Sequence, residues 1–249
     1  MSGHSKWATT KHKKAAVDAA RGKLFAKLIR QVEVAAREGG GDLDANPTLR
    51  TMFQKARDAS VPLDTLERAI KRGTGELEGV RYEPVTYEGY APCGVAVIVE
   101  LLTDNRNRAS AEVRSIFTKN GGSMAEPGAV SWQFERKGVL HVSKDADEDE
   151  LTLVAADAGA EDVRDNGGSW EVVMPPADLA AVRAALEAKG WHVEDAELTM
   201  QPTTSVPITS EPDARRVLRL IDLLDEHEDV QNVYANFDIP DSLMELVAV

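Results

Sequence analysis

Residues 139–174 decide the fold class, and their sequence is VLHVSKDADEDELTLVAADAGAEDVRDNGGSWEVVM. Two segments, 139–142 and 169–174, are short, apolar and rich in β-branched side chains, which is typical of strands. Between them, residues 147–158 have an acidic first turn, where the helix dipole favours negative charge. With a short strand at residues 161–164, this stretch has the order strand, helix, strand, strand.

The pattern extends to the C-terminal side of this stretch. Residues 176–189 are predicted to form a helix that ends at Gly190, and residues 191–200 a further strand. The order β-α-β-β-α-β over residues 135–205 predicts a ferredoxin-like unit. We expect the elements around it to close into one similar sheet, so that this unit is an insertion. These flanking elements are strands at 82–88, 95–102 and 130–134, a helix at 107–119, a helix at 211–226 and a strand at 230–237.

The N-terminal part is predicted to be helical throughout. Residues 15–38 have helical periodicity, with a regular helix expected only from near Lys23, after Gly22. Asn46 and Pro47 form an N-cap and a first helical position, and a third helix ends at Gly73. The fold class is therefore α+β, with a three-helix all-α domain followed by two ferredoxin-like α/β domains, one inserted into the other. The predicted domains are a basic arm and helical nucleic-acid-binding domain at 1–79, a discontinuous domain at 80–134 plus 206–249, and the inserted domain at 135–205.

Charge is divided unevenly along the chain, whose formal net charge is −13. Residues 1–80 have a net charge of +5, with 15 basic and 10 acidic side chains, and residues 81–249 have −18, with 14 and 32. The first 30 residues contain eight basic side chains and only one acidic, Asp18. This asymmetry predicts an anionic partner for the basic end.

Composition and motifs favour a non-enzymatic protein. No phosphate-binding loop, nucleophile elbow or zinc spacing is present, and the five histidines are scattered. We therefore expect no catalytic residues, cofactor or metal. The single cysteine, the absence of a secretory signal and the absence of a bilayer-spanning stretch predict a cytoplasmic chain with no membrane partner. A monomer is favoured, although the sequence does not define the oligomeric state.

A basic arm and the first helix are the candidate nucleic-acid site. Flexible lysines bind phosphate with little sequence selectivity, and an aromatic ring can stack on an exposed base. The alternative is a solubilising tail followed by an ordinary solvated helix face. Helices two and three also permit a helix-turn-helix interpretation, although any pair of short helices would look similar. The candidate contacts are Lys6, Trp7, Lys11, His12, Lys13, Lys14, Arg21, Lys23, Lys27 and Arg30.

A second candidate site follows the most apolar strand. Asn105, Arg106, Asn107 and Arg108 stand at the start of a helix, whose free N–H groups could bind an anion or partner together with the arginines. The alternative is helix capping without a ligand.

Eight short motifs are distributed over essentially the whole chain: GHSKW at 3–7, KHKKA at 11–15, RGK at 21–23, KLIR at 27–30, LTDNRNR at 102–108, KNGG at 119–122, GAVSW at 128–132, and Phe134. Together they resemble the YebC family. Cys93 departs from the small residue expected in its turn. The resemblance implies three domains and a bacterial cytosolic protein, usually described as a probable transcriptional regulator that binds DNA. A mitochondrial relative is a translational activator, and some members are regarded as ribosome-associated translation factors.

The sequence therefore predicts a DNA-binding transcriptional regulator. The alternative is a ribosome-associated translation factor or translational activator that binds ribosomal RNA or tRNA, because phosphate contacts do not distinguish DNA from RNA. A third interpretation, an enzyme acting in a groove between the α/β domains, would require a deep pocket with clustered titratable groups.

Overall fold

A computed structural model describes residues 19–247 of the chain. Within these residues no helix has both the length and the apolar character needed to cross a membrane. The helices are α1 (Ala19–Gly39), α2 (Pro47–Asp58), α3 (Leu63–Thr74), α4 (Arg106–Lys119), α5 (Glu148–Asp157), α6 (Leu179–Ala188), α7 (Glu211–Asp225) and α8 (Asp241–Val247). The strands are β1 (Glu83–Tyr90), β2 (Ala96–Thr103), β3 (Ser123–Ala125), β4 (Phe134–Ser143), β5 (Asp162–Asp165), β6 (Ser169–Met174), β7 (Val193–Pro202), β8 (Val206–Pro207), β9 (Val230–Ala235) and β10 (Phe237–Asp238).

Helices α1 to α3 pack around their own apolar core, and Asn46 joins two of them. The Asn46 side-chain oxygen accepts the Leu49 N–H at 3.0 Å, which caps α2 as its sequence predicts. The Asn46 side-chain nitrogen donates to the carbonyl oxygens of Ala35 and Gly40, both at 2.8 Å. It thereby provides hydrogen-bond donors for carbonyl groups at the C-terminal end of α1. One buried amide therefore fixes the angle between α1 and α2.

Helix α3 lies close against α1. A Cβ atom at Gly73 would be 2.4 Å from the Glu33 backbone oxygen, so only glycine permits this approach. Glu33 is buried, and its carboxylate accepts hydrogen bonds from Arg37 at 3.2 Å and Arg72 at 2.8 Å. These two arginines are therefore only partly exposed and are engaged by Glu33.

The first sheet has the strand order β3-β1-β2-β9, and all neighbours are antiparallel. Strand β9 pairs with β2 although 126 residues separate the end of β2 from the start of β9. Helices α4 and α7 bury Phe117 and Ile221 against the sheet, in a core that includes Val97 and Val99. The elements that flank the central unit therefore share one sheet, as expected from the sequence. Strands β8 and β10 form a separate parallel pair.

The second sheet contains only strands from residues 134–202, in the antiparallel order β5-β6-β4-β7. Helices α5 and α6 bury Leu151 and Leu186 against Leu140 and Val172. This arrangement confirms the predicted β-α-β-β-α-β order and the ferredoxin-like type.

The predicted strand at residues 130–134 is wrong. Ser131–Gln133 is a short 3₁₀ turn, and the strand begins only at Phe134. The reason is the buried Glu88 carboxylate, which accepts the N–H groups of Gly128, Val130 and Ser131 at 2.7, 2.7 and 2.9 Å. Those N–H groups are therefore not available to a neighbouring strand.

Helix α1 also begins earlier than the expected position near Lys23. The backbone is already helical at Ala19, so Gly22 lies inside the helix. A glycine at an exposed helical position costs only about 1 kcal/mol relative to alanine, which the packing of a 21-residue helix can offset.

Candidate nucleic-acid interface

The predicted contacts of the basic arm lie outside the described residues. They are Lys6, Trp7, Lys11, His12, Lys13 and Lys14. Arg21 lies in α1, where its backbone is helical, and the side chain of Lys23 in the next turn is exposed. Lys23 forms no ion pair with the part of the chain from 19 to 247. Lys23 is therefore the one candidate on α1 that the structure shows open to solvent.

Lys27 and Arg30 are not on a solvated face, which corrects the expectation for both. Lys27 Nζ lies 3.1 Å from Oδ1 of Asp225 and donates to the Asp225 carbonyl oxygen at 3.0 Å. Arg30 Nη1 donates to the Glu228 carbonyl oxygen at 2.6 Å and lies 3.3 Å from Oδ1 of Asp229. The amphipathic pattern identified a polar face, but that face lies against acidic groups at the end of α7 and the start of β9.

Asp229 is the centre of this contact, with only 1% of its side chain exposed. Its Oδ2 accepts a hydrogen bond from Thr103 Oγ1 at 2.9 Å and another from Arg108 Nη2 at 2.9 Å, while Oδ1 faces Arg30. A buried carboxylate is tolerated when it is paired and hydrogen-bonded, and Asp229 meets both conditions. The Tyr82 ring adds a cation–π contact, with its centroid 5.0 Å from Arg30 Cζ.

The segment at residues 103–108 ends β2 and starts α4. Asn105 is the N-cap of α4, and its Oδ1 accepts the Arg108 N–H at 3.1 Å. Arg108 contacts both Asp104 and Asp229 at 2.9 Å, and hydrogen bonding to Asp229 raises the pKa of its guanidinium. Asn105 and Arg108 are thus engaged within the molecule, whereas Arg106 and Asn107 are exposed.

The two predicted sites therefore meet at Asp229, which the sequence analysis missed. Arg30 of α1 and Arg108 of α4 bind different oxygens of the same carboxylate. Arg30 and Asp229 are separated by 199 positions in the chain, and no local pattern marks Asp229 as a partner. The antiparallel pairing of β9 with β2 places Asp229 beside Thr103, and the packing of α1 against this end of the sheet brings Arg30 to it.

A second buried carboxylate, Glu88, also organises the residues around it. Burial of Glu88 would raise its pKa, but hydrogen bonds from Gly128, Val130 and Ser131 outweigh burial and lower it. The loop that Glu88 holds carries Trp132, which is 70% exposed. Trp132 Nε1 donates to the Ala129 carbonyl oxygen at 3.0 Å, so its ring is fixed although it is open to solvent.

The surface formed by residues 19–247 contains open clefts. One cleft of about 350 Å³ includes Glu135, Lys137 and Arg164, and another of about 440 Å³ lies beside Glu112 and His227. Charged side chains predominate in the lining of the first cleft, whereas the second is mainly apolar. Over residues 19–247, no group of three or more histidine, cysteine, aspartate or glutamate side chains is arranged to hold a metal ion.

Comparison with known proteins identifies the family. Residues 5–76 match the model of the TACO1/YebC protein N-terminal domain, and residues 82–237 match that of the TACO1/YebC second and third domain. The chain belongs to the TACO1/YebC family. Both sets of contacts around Asp229, from α1 and from α4, fall within these matched regions.

Relatives in this family cover the chain almost completely. A protein of Thermobifida fusca is 59% identical over 246 residues, which are 98% of each chain. A protein of Syntrophobacter fumaroxidans is 52% identical over 249 residues, which are 100% of each. Both are named "Probable transcriptional regulatory protein". The crystal structure of a conserved hypothetical protein from Aquifex aeolicus superposes with a TM-score of 0.86 at 49% identity, covering 94% of this chain and 97% of that one.

Proposed function

We propose that this TACO1/YebC family member is a non-enzymatic, cytoplasmic regulator that binds nucleic acid through its basic N-terminal end and acts on transcription by binding DNA. The observation that carries the proposal is the charge division: eight basic side chains and one acidic in the first 30 residues, against a net charge of −18 over residues 81–249. The names of the relatives support a regulatory role.

The basic side chains of the N-terminal end fall into two sets, one bound by acidic groups of the chain and one proposed to contact phosphate. Lys27 and Arg30 are bound by Asp225 and Asp229, so they attach α1 to the α/β body. Lys23 and the basic sequence that precedes α1 are then the groups proposed to contact phosphate. At physiological salt the Debye length is about 8 Å, so acidic groups well away from this end do not cancel its attraction.

The competing function is translational regulation through ribosomal RNA or tRNA. One observation favours it. Helix α3, which would have to read bases in a helix-turn-helix arrangement, contains neither asparagine nor glutamine. Its exposed cations Arg68 and Lys71 suit phosphate contacts better than base recognition.

Competition binding separates the two functions. The labelled probe is a duplex enriched by selection from a random DNA library, and the competitor is random duplex DNA. An affinity for the selected duplex about 10³ times or more that for random duplex DNA, as sequence-specific factors reach, would establish the DNA-binding regulator.

Co-sedimentation with ribosomes tests the translational function. Discrimination below about tenfold, together with co-sedimentation that Lys11→Glu, Lys13→Glu and Lys14→Glu abolish, would establish the translational function instead. The matched control is a chain with Arg136, Lys144 and Lys189 changed to glutamate, which has the same net charge. Equal loss in both variants would contradict a role for the N-terminal lysines.

A further inference from the structure

Helix α4 differs in charge from every other helix between residues 81 and 247. It contains four basic side chains and one acidic, a net charge of +3. Helix α5 has no basic residue and α8 none, α6 is neutral, and α7 has a net charge of −1. A cationic helix within a segment of net charge −18 is therefore a local exception that folding alone does not require.

Three cations of α4 are open to solvent. Arg106, Arg114 and Lys119 are exposed, and their side chains form neither an ion pair nor a hydrogen bond with any residue from 19 to 247. Arg108 differs because Asp104 and Asp229 bind it. The single acidic residue, Glu112, is directed to the neighbouring loop, where its Oε2 lies 2.8 Å from His227 Nε2.

The joint at Asp229 places this helix beside α1, the helix that contains Lys23 of the proposed nucleic-acid site. Because Arg30 and Arg108 bind one carboxylate, the first turn of α4 is fixed next to the middle of α1. At 1.5 Å per residue, the distance along α4 from Arg106 to Lys119 is about 20 Å. Duplex DNA rises about 3.4 Å per base pair, so this length corresponds to about six base pairs.

We propose that the α4 cations, defined as Arg106, Arg114 and Lys119, are a second contact for the phosphate backbone of the nucleic acid that the N-terminal end binds. This inference rests on the proposed function. The partner chemistry is a phosphodiester backbone, since three separated, exposed cations suit charge and not base edges. The contacts of the N-terminal end and of the α4 cations then belong to the same nucleic acid.

The test is the salt dependence of binding by the full chain, with two probes: a 30-base-pair duplex of random sequence and an RNA stem-loop of equal phosphate number. Each phosphate contact contributes about −0.9 to the slope of log K against log salt for duplex DNA. Changing all three α4 cations to glutamine should therefore reduce the slope by between about two and three. With a slope difference of two, raising the salt concentration from 50 to 200 mM weakens nucleic-acid binding by the unaltered chain about fifteenfold more than binding by the variant.

The control removes the same charge elsewhere: Arg136→Gln, Arg183→Gln and Lys189→Gln, all in residues 134–202. It should change the slope by less than about half a unit. Arg114→Gln alone, at an exposed mid-helix position, should reduce the slope by about one even if the triple variant folds poorly.

The outcomes distinguish the two proposals. If the α4 variant matches the control while Lys11→Glu, Lys13→Glu and Lys14→Glu still abolish binding, the α4 contact is refuted and the proposed function stands. If the unaltered chain binds neither probe with a salt-dependent affinity, the proposed function fails, and the α4 contact fails with it. A slope change seen with only one probe identifies which nucleic acid uses the α4 cations.

Discussion

Asp229→Asn tests whether the joint between α1 and the first sheet contributes to stability. The substitution preserves the shape of the side chain but removes its charge. Asp229 accepts hydrogen bonds from Thr103, Arg108 and Arg30 at 2.9, 2.9 and 3.3 Å, and it is 1% exposed. An asparagine keeps only one accepting oxygen, and its NH₂ group must face a guanidinium donor.

The expected cost follows from this arrangement. Removing one partner of a buried charge pair costs about 3–5 kcal/mol, and each hydrogen bond to a charged group about 1.5–3 kcal/mol. Arg30 and Arg108 retain 19% and 39% side-chain exposure, so water replaces part of what they lose. We therefore expect a loss of about 3 kcal/mol in the free energy of unfolding. For a chain of this size that lowers Tm by about 6–12 °C.

The assay is differential scanning calorimetry of the variant and of a matched control, Asp225→Asn. Asp225 undergoes the same substitution four positions earlier, but its side chain is 33% exposed and faces Lys27. Ion pairs that remain partly exposed contribute about 0–1 kcal/mol, so the control should lower Tm by less than about 4 °C. Equal shifts for the two variants would refute the reasoning, because burial and the three donors would then have no measurable effect.

Three further predictions concern other parts of the molecule. Glu88→Gln should destabilise the fold by about 1–3 kcal/mol at neutral pH, because three loop N–H groups lose their carboxylate. The pKa of Glu88 is lowered by folding, so this stabilisation is complete above the unfolded pKa of about 4.3 and disappears as pH falls through the folded value. Urea denaturation of both proteins at several pH values measures it, and a constant difference down to pH 2 would contradict it. Deleting residues 1–14 should reduce the salt slope of nucleic-acid binding by about three while leaving Tm nearly unchanged, and an unaltered slope would refute it. Replacing residues 135–205 by a short Gly/Ser linker should leave a cooperative calorimetric transition, whereas its loss would show that the proposed boundary is wrong.

Most helices and strands were predictable because the sequence patterns that indicate them lie within a few neighbouring residues. Asn46 and Pro47 identified the start of α2, and the hydrogen bond from the Leu49 N–H to Asn46 confirms the cap. Alternating and helical periodicity located β2, β6 and α4 within one or two residues of their ends. The short elements β3, β8 and α8 were missed, since two to seven residues give too few positions for a periodic pattern.

The contacts between elements could not be predicted in the same way. Periodicity placed Lys27 and Arg30 on a polar helix face, but a polar face against water and one against acidic groups have the same pattern. Asp229 meets Arg108 because β9 pairs with β2, and it meets Arg30 because α1 packs against that end of the sheet. Neither long-range contact has a local signature. The division of the cations on α1 and α4 into structural and exposed ones therefore required the structure.

The most direct measurement of the central claim is ultraviolet crosslinking of the full chain to nucleic acid in living cells, followed by identification of both the crosslinked peptide and the attached nucleotides. We expect the crosslinked peptides to come from residues 1–37, with a second set from α4. Nucleotides of DNA would support the transcriptional regulator, and ribosomal RNA or tRNA the translational one. Crosslinks confined to residues 134–202, or no crosslinked nucleic acid at all, would contradict binding through the basic N-terminal end.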